Sequence, residues 1–154
     1  LPISAGGSSA DADLAAHANG AHPCRAYRWP ALQDDHTALR AYATACRLRL
    51  AGGGAAAPPY AQIEGTWHLF GATDDQWSSR PLELAACGLL RFDGDVAVLE
   101  PLVVDVSSNA DESGDEARWR RTLADLAETI ARRGKLRSLR VPDDARLTRT
   151  LEYS

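Results

Sequence analysis

The chain has 154 residues, a length that fits one ordinary domain and leaves no room for two. Apolar residues make up 45% and charged residues 25%, which is typical of a globular protein, and no apolar stretch reaches the roughly 20 residues of a membrane span. The formal charge of −4, from 21 acidic and 17 basic residues, argues against binding to nucleic acid or to an anionic membrane.

The cysteines and the first residues bear on location and domain organisation. Cys24, Cys46 and Cys87 are widely spaced and form neither a C-x-x-C pair nor the Cys/His spacing of a metal site, so we expect no metal and a reduced, cytoplasmic setting. Residues 1–22 are rich in Ala, Gly, Ser and Asp without any sustained period. We therefore expect a flexible arm over residues 1–22 and one domain over residues 23–154.

In chain order, the first predicted element is a strand over Cys24–Trp29, where small or aromatic residues alternate with charged ones. A helix follows, capped by Asp34 or Asp35 and ended by Gly52–Gly54. Apolar residues recur in it at spacings of three and four, which predicts one buried stripe. That stripe comprises Leu39, Tyr42, Ala43, Cys46 and Leu50.

Two further strands are predicted over Tyr60–Gly71 and Leu82–Phe92. Asp93-Gly94 is a strong turn signal between two apolar runs, so we expect an antiparallel hairpin over Leu82–Val104. Pro101 has no N–H to donate to a sheet ladder, which predicts a bulge or a local splay of the second hairpin strand.

The last long helix is predicted to start at the capping box Ser113–Glu116 and to end at Gly134. Its expected buried stripe comprises Trp119, Leu123, Leu126, Ala127 and Ile130. A strand over Leu136–Val141 follows, and Pro142 then begins a short helix with Leu147 and Leu151 on one side. The expected fold class is α/β, with a mixed, mostly antiparallel central sheet flanked by helices.

This order of elements, together with two local phrases, resembles the GNAT superfamily of acyl-coenzyme A-dependent N-acyltransferases. Arg25–Tyr42 is similar to that family's first strand running into its first helix. Cys87–Asp105 is similar to its central hairpin, whose second strand typically ends in a Leu-Val-Val-Asp phrase. The resemblance covers Arg25–Ser154 and implies a GNAT-like sheet that lacks the family's usual C-terminal strands. It also implies acyl transfer from acetyl-CoA to a small-molecule or peptide amine.

The resemblance also assigns cofactor-binding residues. In the family, backbone groups of the strand that matches Leu102, Val103 and Val104 hold the acyl-pantetheine arm. A glycine-rich loop at a helix N-terminus holds the pyrophosphate through bare N–H groups, and Gly114 is the residue here that matches this pattern.

Amine acylation also requires a base for the ammonium proton. Glu100 and Glu83 lie on the predicted hairpin strands and are the candidates, acting directly or through water. The other interpretation is that each is an outward-facing, solvated carboxylate.

The loop before the last long helix departs from the family pattern. Asn109 stands at the usual arginine, and Ala110 and Glu112 stand at glycine positions. The loop and the helix start carry four carboxylates that would repel a pyrophosphate, at Asp111, Glu112, Asp115 and Glu116. The alternative function is therefore a non-catalytic interaction domain, with this acidic loop or an open sheet edge binding a protein partner or a second copy.

Three other features have a functional and a structural interpretation. His68 has the chemistry of a proton shuttle, but it also fits a hydrogen-bonded strand histidine. Cys87 has no neighbouring histidine, which favours a buried structural thiol over a nucleophile. The arginines of Arg118–Arg121 could bind the 3′-phosphate of coenzyme A or an acidic partner, or remain solvated.

Overall fold

A computed structural model describes residues 24–72, 84–104, 113–142 and 148–153. Within these ranges, six strands form one sheet in the order β1-β2-β3-β4-β5-β6, together with two α-helices. The strands are β1 Cys24–Arg28, β2 Trp67–Ala72, β3 Leu84–Asp93, β4 Val96–Val104, β5 Ser138–Arg140 and β6 Arg149–Thr150, and the helices are α1 His36–Ala51 and α2 Ser113–Arg133. Neighbouring strands pair antiparallel except β4 and β5, which are parallel. The predicted mixed, mostly antiparallel α/β sheet is confirmed.

The sheet separates two hydrophobic layers, because successive side chains of a strand point to opposite faces. On β2, Leu69 packs in the α2 layer and Phe70 in the α1 layer. On β3, Leu90 packs in the α2 layer and Leu89 in the α1 layer. These four side chains of β2 and β3 are fully buried. Both faces of the central strands are thus covered, which explains why β3 is an almost continuous apolar run.

Helix α1 starts as predicted, but a different face of it is buried. The Asp35 side chain caps the helix by accepting a hydrogen bond of 3.0 Å from the Ala38 N–H. The residues that α1 buries are Ala38, Ala41, Tyr42 and Ala45. Leu39 and Leu50 of the predicted stripe are instead 38% and 56% exposed. The alanines allow the helix to pack closely on the sheet, so the leucines lie on its far side.

The strand predicted over Tyr60–Gly71 is wrong in its first half. Pro59–Gln62 forms a 3-10 turn, and β2 begins only at Trp67. The Thr66 hydroxyl donates a hydrogen bond of 2.8 Å to the Tyr60 carbonyl and fixes the turn beside β2. Proline at the start of the turn and a positive φ at Gly65 are incompatible with a continuous strand.

The hairpin and the irregularity at Pro101 are both confirmed. β3 and β4 pair antiparallel, with Gly88 opposite Pro101 and Cys87 opposite Val103. Leu102 is therefore the extra residue of a bulge on β4.

Helix α2 begins at Ser113, and its five predicted stripe residues are all buried. At its C-terminus the left-handed residue is Lys135, with φ of 61°, whereas Gly134 precedes it. A Cβ at Gly134 would lie 2.8 Å from a methyl of Leu136, so a larger residue there would require the Leu136 side chain to shift. Among the described residues, no helix combines the length and the apolar character that crossing a bilayer requires.

The short helix predicted after Pro142 is only partly covered by the structure, because residues 143–147 lie outside the described ranges. Leu151 is buried, but it follows strand β6 directly and is not helical. Its N–H donates to the Arg137 carbonyl at 2.8 Å. The predicted helical setting of Leu151 is therefore wrong, because sheet pairing with β5 determines the conformation of this segment.

Candidate functional site

Strand β5 pairs with only the first part of β4. Its partners there are Val96–Val98. The rest of β4, Leu99–Val104, has no β5 partner, and the bulge at Leu102 lies in this half of the strand. Bulges disturb the regular ladder and redirect backbone groups, so this edge is suited to hydrogen bonding with a ligand.

A groove of about 300 Å³ adjoins this half of β4. Its walls come from the end of α1, from β4 and from the first turns of α2: Leu48, Arg49, Gly52, Gly54, Pro101, Leu102, Val103, Val104, Glu116 and Arg120. The structure thus brings the three strand residues assigned from the resemblance to one site, with Leu102 buried and Val103 and Val104 half-buried. Gly114 lies in the first turn of α2, whereas Glu83 lies outside the described residues.

Charge at the α2 end of the groove is locally balanced. Glu116 and Arg120 form an i,i+4 ion pair of 3.1 Å. Asp111 and Glu112 of the acidic loop lie outside the described residues. One of the four carboxylates that would repel a pyrophosphate is therefore paired with an arginine at the groove.

Glu100 is half-buried on β4, next to Pro101 in the groove wall. One carboxylate oxygen accepts a hydrogen bond from the Tyr60 hydroxyl, and the other lies 3.6 Å from a terminal nitrogen of Arg49. Arg49 also donates to the Pro101 carbonyl at 3.3 Å and to the Ala55 carbonyl at 2.7 Å. These contacts hold the carboxylate in one orientation, unlike that of a freely solvated strand side chain.

Tyr60 connects Glu100 to a second arginine. The guanidinium carbon of Arg91 lies 5.0 Å from the centre of the Tyr60 ring, within cation–π distance. Burial, and then the hydrogen bond to Glu100, raise the pKa of Tyr60 to about 12, and Arg91 opposes part of this. Tyr60 therefore remains a hydrogen-bond donor to Glu100 throughout the physiological pH range.

Arg91 itself is only partly engaged. Its side chain is 35% exposed, and its ion pair with Asp93 is long, at 3.6 Å. Its Nε is buried and has no hydrogen-bond partner within the part of the chain that the structure describes. Tyr60, Glu100, Arg49 and Arg91 together form what we call the Glu100 cluster.

His68 lies outside this cluster, fully buried in the α1 layer. Its ring centre is 4.7 Å from that of Tyr42, edge to face, and 5.8 Å from that of Trp29. Burial lowers the pKa of His68 to about 4, although the backbones of Thr66 and Ala61 offset part of the effect. Neither ring nitrogen has a hydrogen bond of regular geometry to any described residue. His68 is therefore a buried strand residue, with the Thr66 and Ala61 backbones near its ring but no regular hydrogen bond to a described residue.

Cys24 and Cys87 are buried thiols, and one arginine of the run Arg118–Arg121 lies at the groove. Cys87 is fully buried, and burial raises the pKa of its thiol, as it raises the pKa of Cys24 to about 12. Of the arginines in Arg118–Arg121, Arg120 lines the groove, and Arg121 is exposed. Deprotonation of either buried thiol at neutral pH is strongly disfavoured, which agrees with a structural role.

The comparisons with known proteins found no family model, no curated protein and no solved structure that matches this chain. The groove beside β4 and the Glu100 cluster are therefore the features from which a function can be inferred.

Sequence reasoning missed three of the four members of the Glu100 cluster. Tyr60 and Glu100 are 40 positions apart, and Arg49 is 52 positions from its partner Pro101, so no local pattern links them. The one available signal was Arg91, a single charge near the end of the apolar run of β3. A lone charge in such a strand requires a nearby partner or access to solvent.

Proposed function

We propose that this protein is a GNAT-like N-acyltransferase that transfers an acyl group from an acyl-coenzyme A, such as acetyl-CoA, to an amine. The observation that supports this function best is that Leu99–Val104 of β4 has no β5 partner among the described residues, with the bulge at Leu102 in this half of the strand. A pantetheine arm contains amides separated by short apolar segments. An unpaired strand edge next to a partly apolar groove provides both hydrogen bonds and apolar contact for such a chain.

Glu100 is the base that we assign to this reaction. It precedes Pro101, which lines the groove, and its carboxylate contacts Arg49, another residue of the groove lining. The neutral amine nitrogen forms the new bond to the acyl carbon, the carbon–sulfur bond breaks with its electron pair on sulfur, and the proton that nitrogen then loses goes to this thiolate, so that coenzyme A leaves as the thiol. The proton that the acceptor gives up beforehand, on passing from its ammonium to its neutral form, goes to Glu100, directly or through a water. Tyr60 and Arg49 orient the carboxylate for this step.

The proposal is tested by titrating the full chain with acetyl-CoA while its melting temperature or the heat of binding is recorded. A ligand that binds only the folded state at 100 times its Kd stabilises that state by about 2.7 kcal/mol. We therefore expect a clear rise in melting temperature at millimolar acetyl-CoA. No response at that concentration would refute the acyltransferase function, and a stable dimer without a response would favour the interaction domain.

A bulky substitution in the groove tests whether acetyl-CoA binds there. Gly52 lines the groove, has a negative φ and leaves room for a side chain, since an added Cβ meets only the Leu48 and Arg49 carbonyls, at 3.4 and 3.7 Å. Gly52→Phe should obstruct the groove and abolish the acetyl-CoA response. Ala43→Phe, on the exposed face of α1, is the matched control and should preserve it.

A further inference from the structure

The Glu100 cluster contains the Arg91 guanidinium, a positive group that proton transfer to Glu100 does not require. Tyr60 contacts both charges, because its hydroxyl bonds to Glu100 and its ring lies beneath the Arg91 guanidinium. On the hairpin, Arg91 pairs with Val98 and Glu100 pairs with Leu89, so the two charged residues are diagonal neighbours on one face. The Cα atoms of such neighbours are about 7–8 Å apart. A carboxylate and a guanidinium thus converge on one aromatic ring.

Arg91 has donors available for a ligand. A guanidinium offers five N–H donors in a planar fork that matches a carboxylate. The Nε of Arg91 is buried, so the donors that a ligand can reach are those of the two terminal nitrogens, on a side chain that is 35% exposed. Its neighbour Asp93 is 70% exposed and 3.6 Å away, which makes that ion pair weak. A ligand carboxylate at Arg91 would satisfy the fork better than Asp93 does.

We propose that the acceptor is a free amino acid, with its ammonium group at Glu100 and its carboxylate at Arg91. This inference rests on the proposed acyltransferase function and narrows its acceptor class. An amino acid has charges of both signs close together, which complements the Glu100 and Arg91 pair. A simple alkylamine leaves Arg91 with only its long ion pair to Asp93. The N-terminus of a peptide does the same, because its first carboxyl group is an amide.

The test compares amino acids with the amines that differ from them only by loss of the carboxylate. Glycine and methylamine, leucine and 3-methylbutylamine, and phenylalanine and phenethylamine are titrated into the full chain, and binding is measured by calorimetry. We expect at least one amino acid to bind tenfold or more tightly than its matched amine. Equal binding within every pair, tighter binding of the amines, or no binding of any of these ligands would overturn the inference.

Variants of the Glu100 cluster identify the residue that produces the preference for the carboxylated ligand. Arg91→Gln should remove the preference for the carboxylated ligand, whereas Arg137→Gln, at an arginine that is 84% exposed, should keep it. Tyr60→Phe keeps the ring beneath Arg91 and removes the bond to Glu100. It should weaken the binding of amino acids and amines alike while the preference between them persists. A preference that survives in Arg91→Gln contradicts the assignment.

The outcome is independent of the acetyl-CoA titration. Amino-acid binding that depends on Arg91, with no response to acetyl-CoA, would refute acyl transfer and leave an amino-acid site. An acetyl-CoA response without a preference for amino acids would refute the acceptor class and leave the acyltransferase function intact.

Discussion

Lowering the pH from 7.5 to 5.0 should destabilise this protein by about 2 kcal/mol, chiefly through His68. Burial lowers the pKa of this imidazole from 6.5 to about 4. The unfolded chain therefore binds a proton below pH 6.5, whereas the folded state binds it only below about pH 4. Stability is complete above the unfolded pKa and declines as the pH falls towards the folded pKa.

The magnitude follows from the difference between the two pKa values. At pH 5.0 the imidazole is almost fully protonated in the unfolded chain and almost neutral in the folded protein. The difference between 6.5 and 5.0, at about 1.4 kcal/mol per pH unit, gives about 2 kcal/mol. Below pH 4 the loss reaches about 3 kcal/mol. Glu128, whose pKa is lowered chiefly by its hydrogen bond to Arg149, adds to the loss mainly below its ordinary value of 4.5.

The assay is urea unfolding at both pH values, followed by tryptophan fluorescence, with linear extrapolation to water. His68→Leu replaces the imidazole by a non-titrating side chain of similar size, and it should lose little stability between the two pH values. His36→Gln, at an exposed position at the start of α1, is the matched control and should lose about as much as the wild type. A full loss of about 2 kcal/mol in His68→Leu would show that another group is responsible.

Four substitutions test local structure and packing by the same urea assay. Gly71→Ala should cost about 1–3 kcal/mol, because the new Cβ would lie 2.4 Å from the indole of Trp119; an unchanged midpoint would contradict this close contact. Lys135→Gly should stabilise the protein by up to about 1 kcal/mol. Glycine adopts the left-handed conformation of Lys135 without strain, and this gain exceeds the loss of the cation–π contact with Tyr153. A less stable variant would show that the backbone at Lys135 is not strained. Tyr42→Ala should cost about 3 kcal/mol and Leu39→Gln less than about 0.5 kcal/mol, because Tyr42 is buried and Leu39 is exposed; a large loss in both would restore the stripe predicted from the sequence, which contains both residues.

Local chemistry explains which parts of the fold were predictable. The hairpin follows from its Asp93-Gly94 turn and the bulge from the missing N–H of Pro101, and both signals lie within a few residues of the structure they determine. The stripe of α2 was predictable because its large apolar residues occupy one face. The burial of α1 was not, since alanines on one face and leucines on another are both apolar. Tertiary packing selects between them.

The candidate site was predictable only along β4. Glu100 was a candidate from its place on the predicted hairpin, and the groove residues that follow it came from the family resemblance, but contacts distant in sequence form the cluster around that carboxylate. Tyr60 reaches it because prolines replace the predicted strand with a turn. Arg49 reaches it because the buried face of α1 is rotated from the predicted one.

The bulge on β4 links the groove to the Glu100 cluster. In a regular strand, neighbouring side chains alternate between the two layers, yet Leu102 and Val103 both pack in the α1 layer. The extra residue breaks the alternation at this point, while Glu100 before it keeps its regular pairing with Leu89. The strand therefore presents a carboxylate with fixed contacts directly beside a redirected backbone edge. One local irregularity thus places a candidate base next to a candidate binding edge, and it explains why Pro101, which cannot donate to the ladder, is tolerated there.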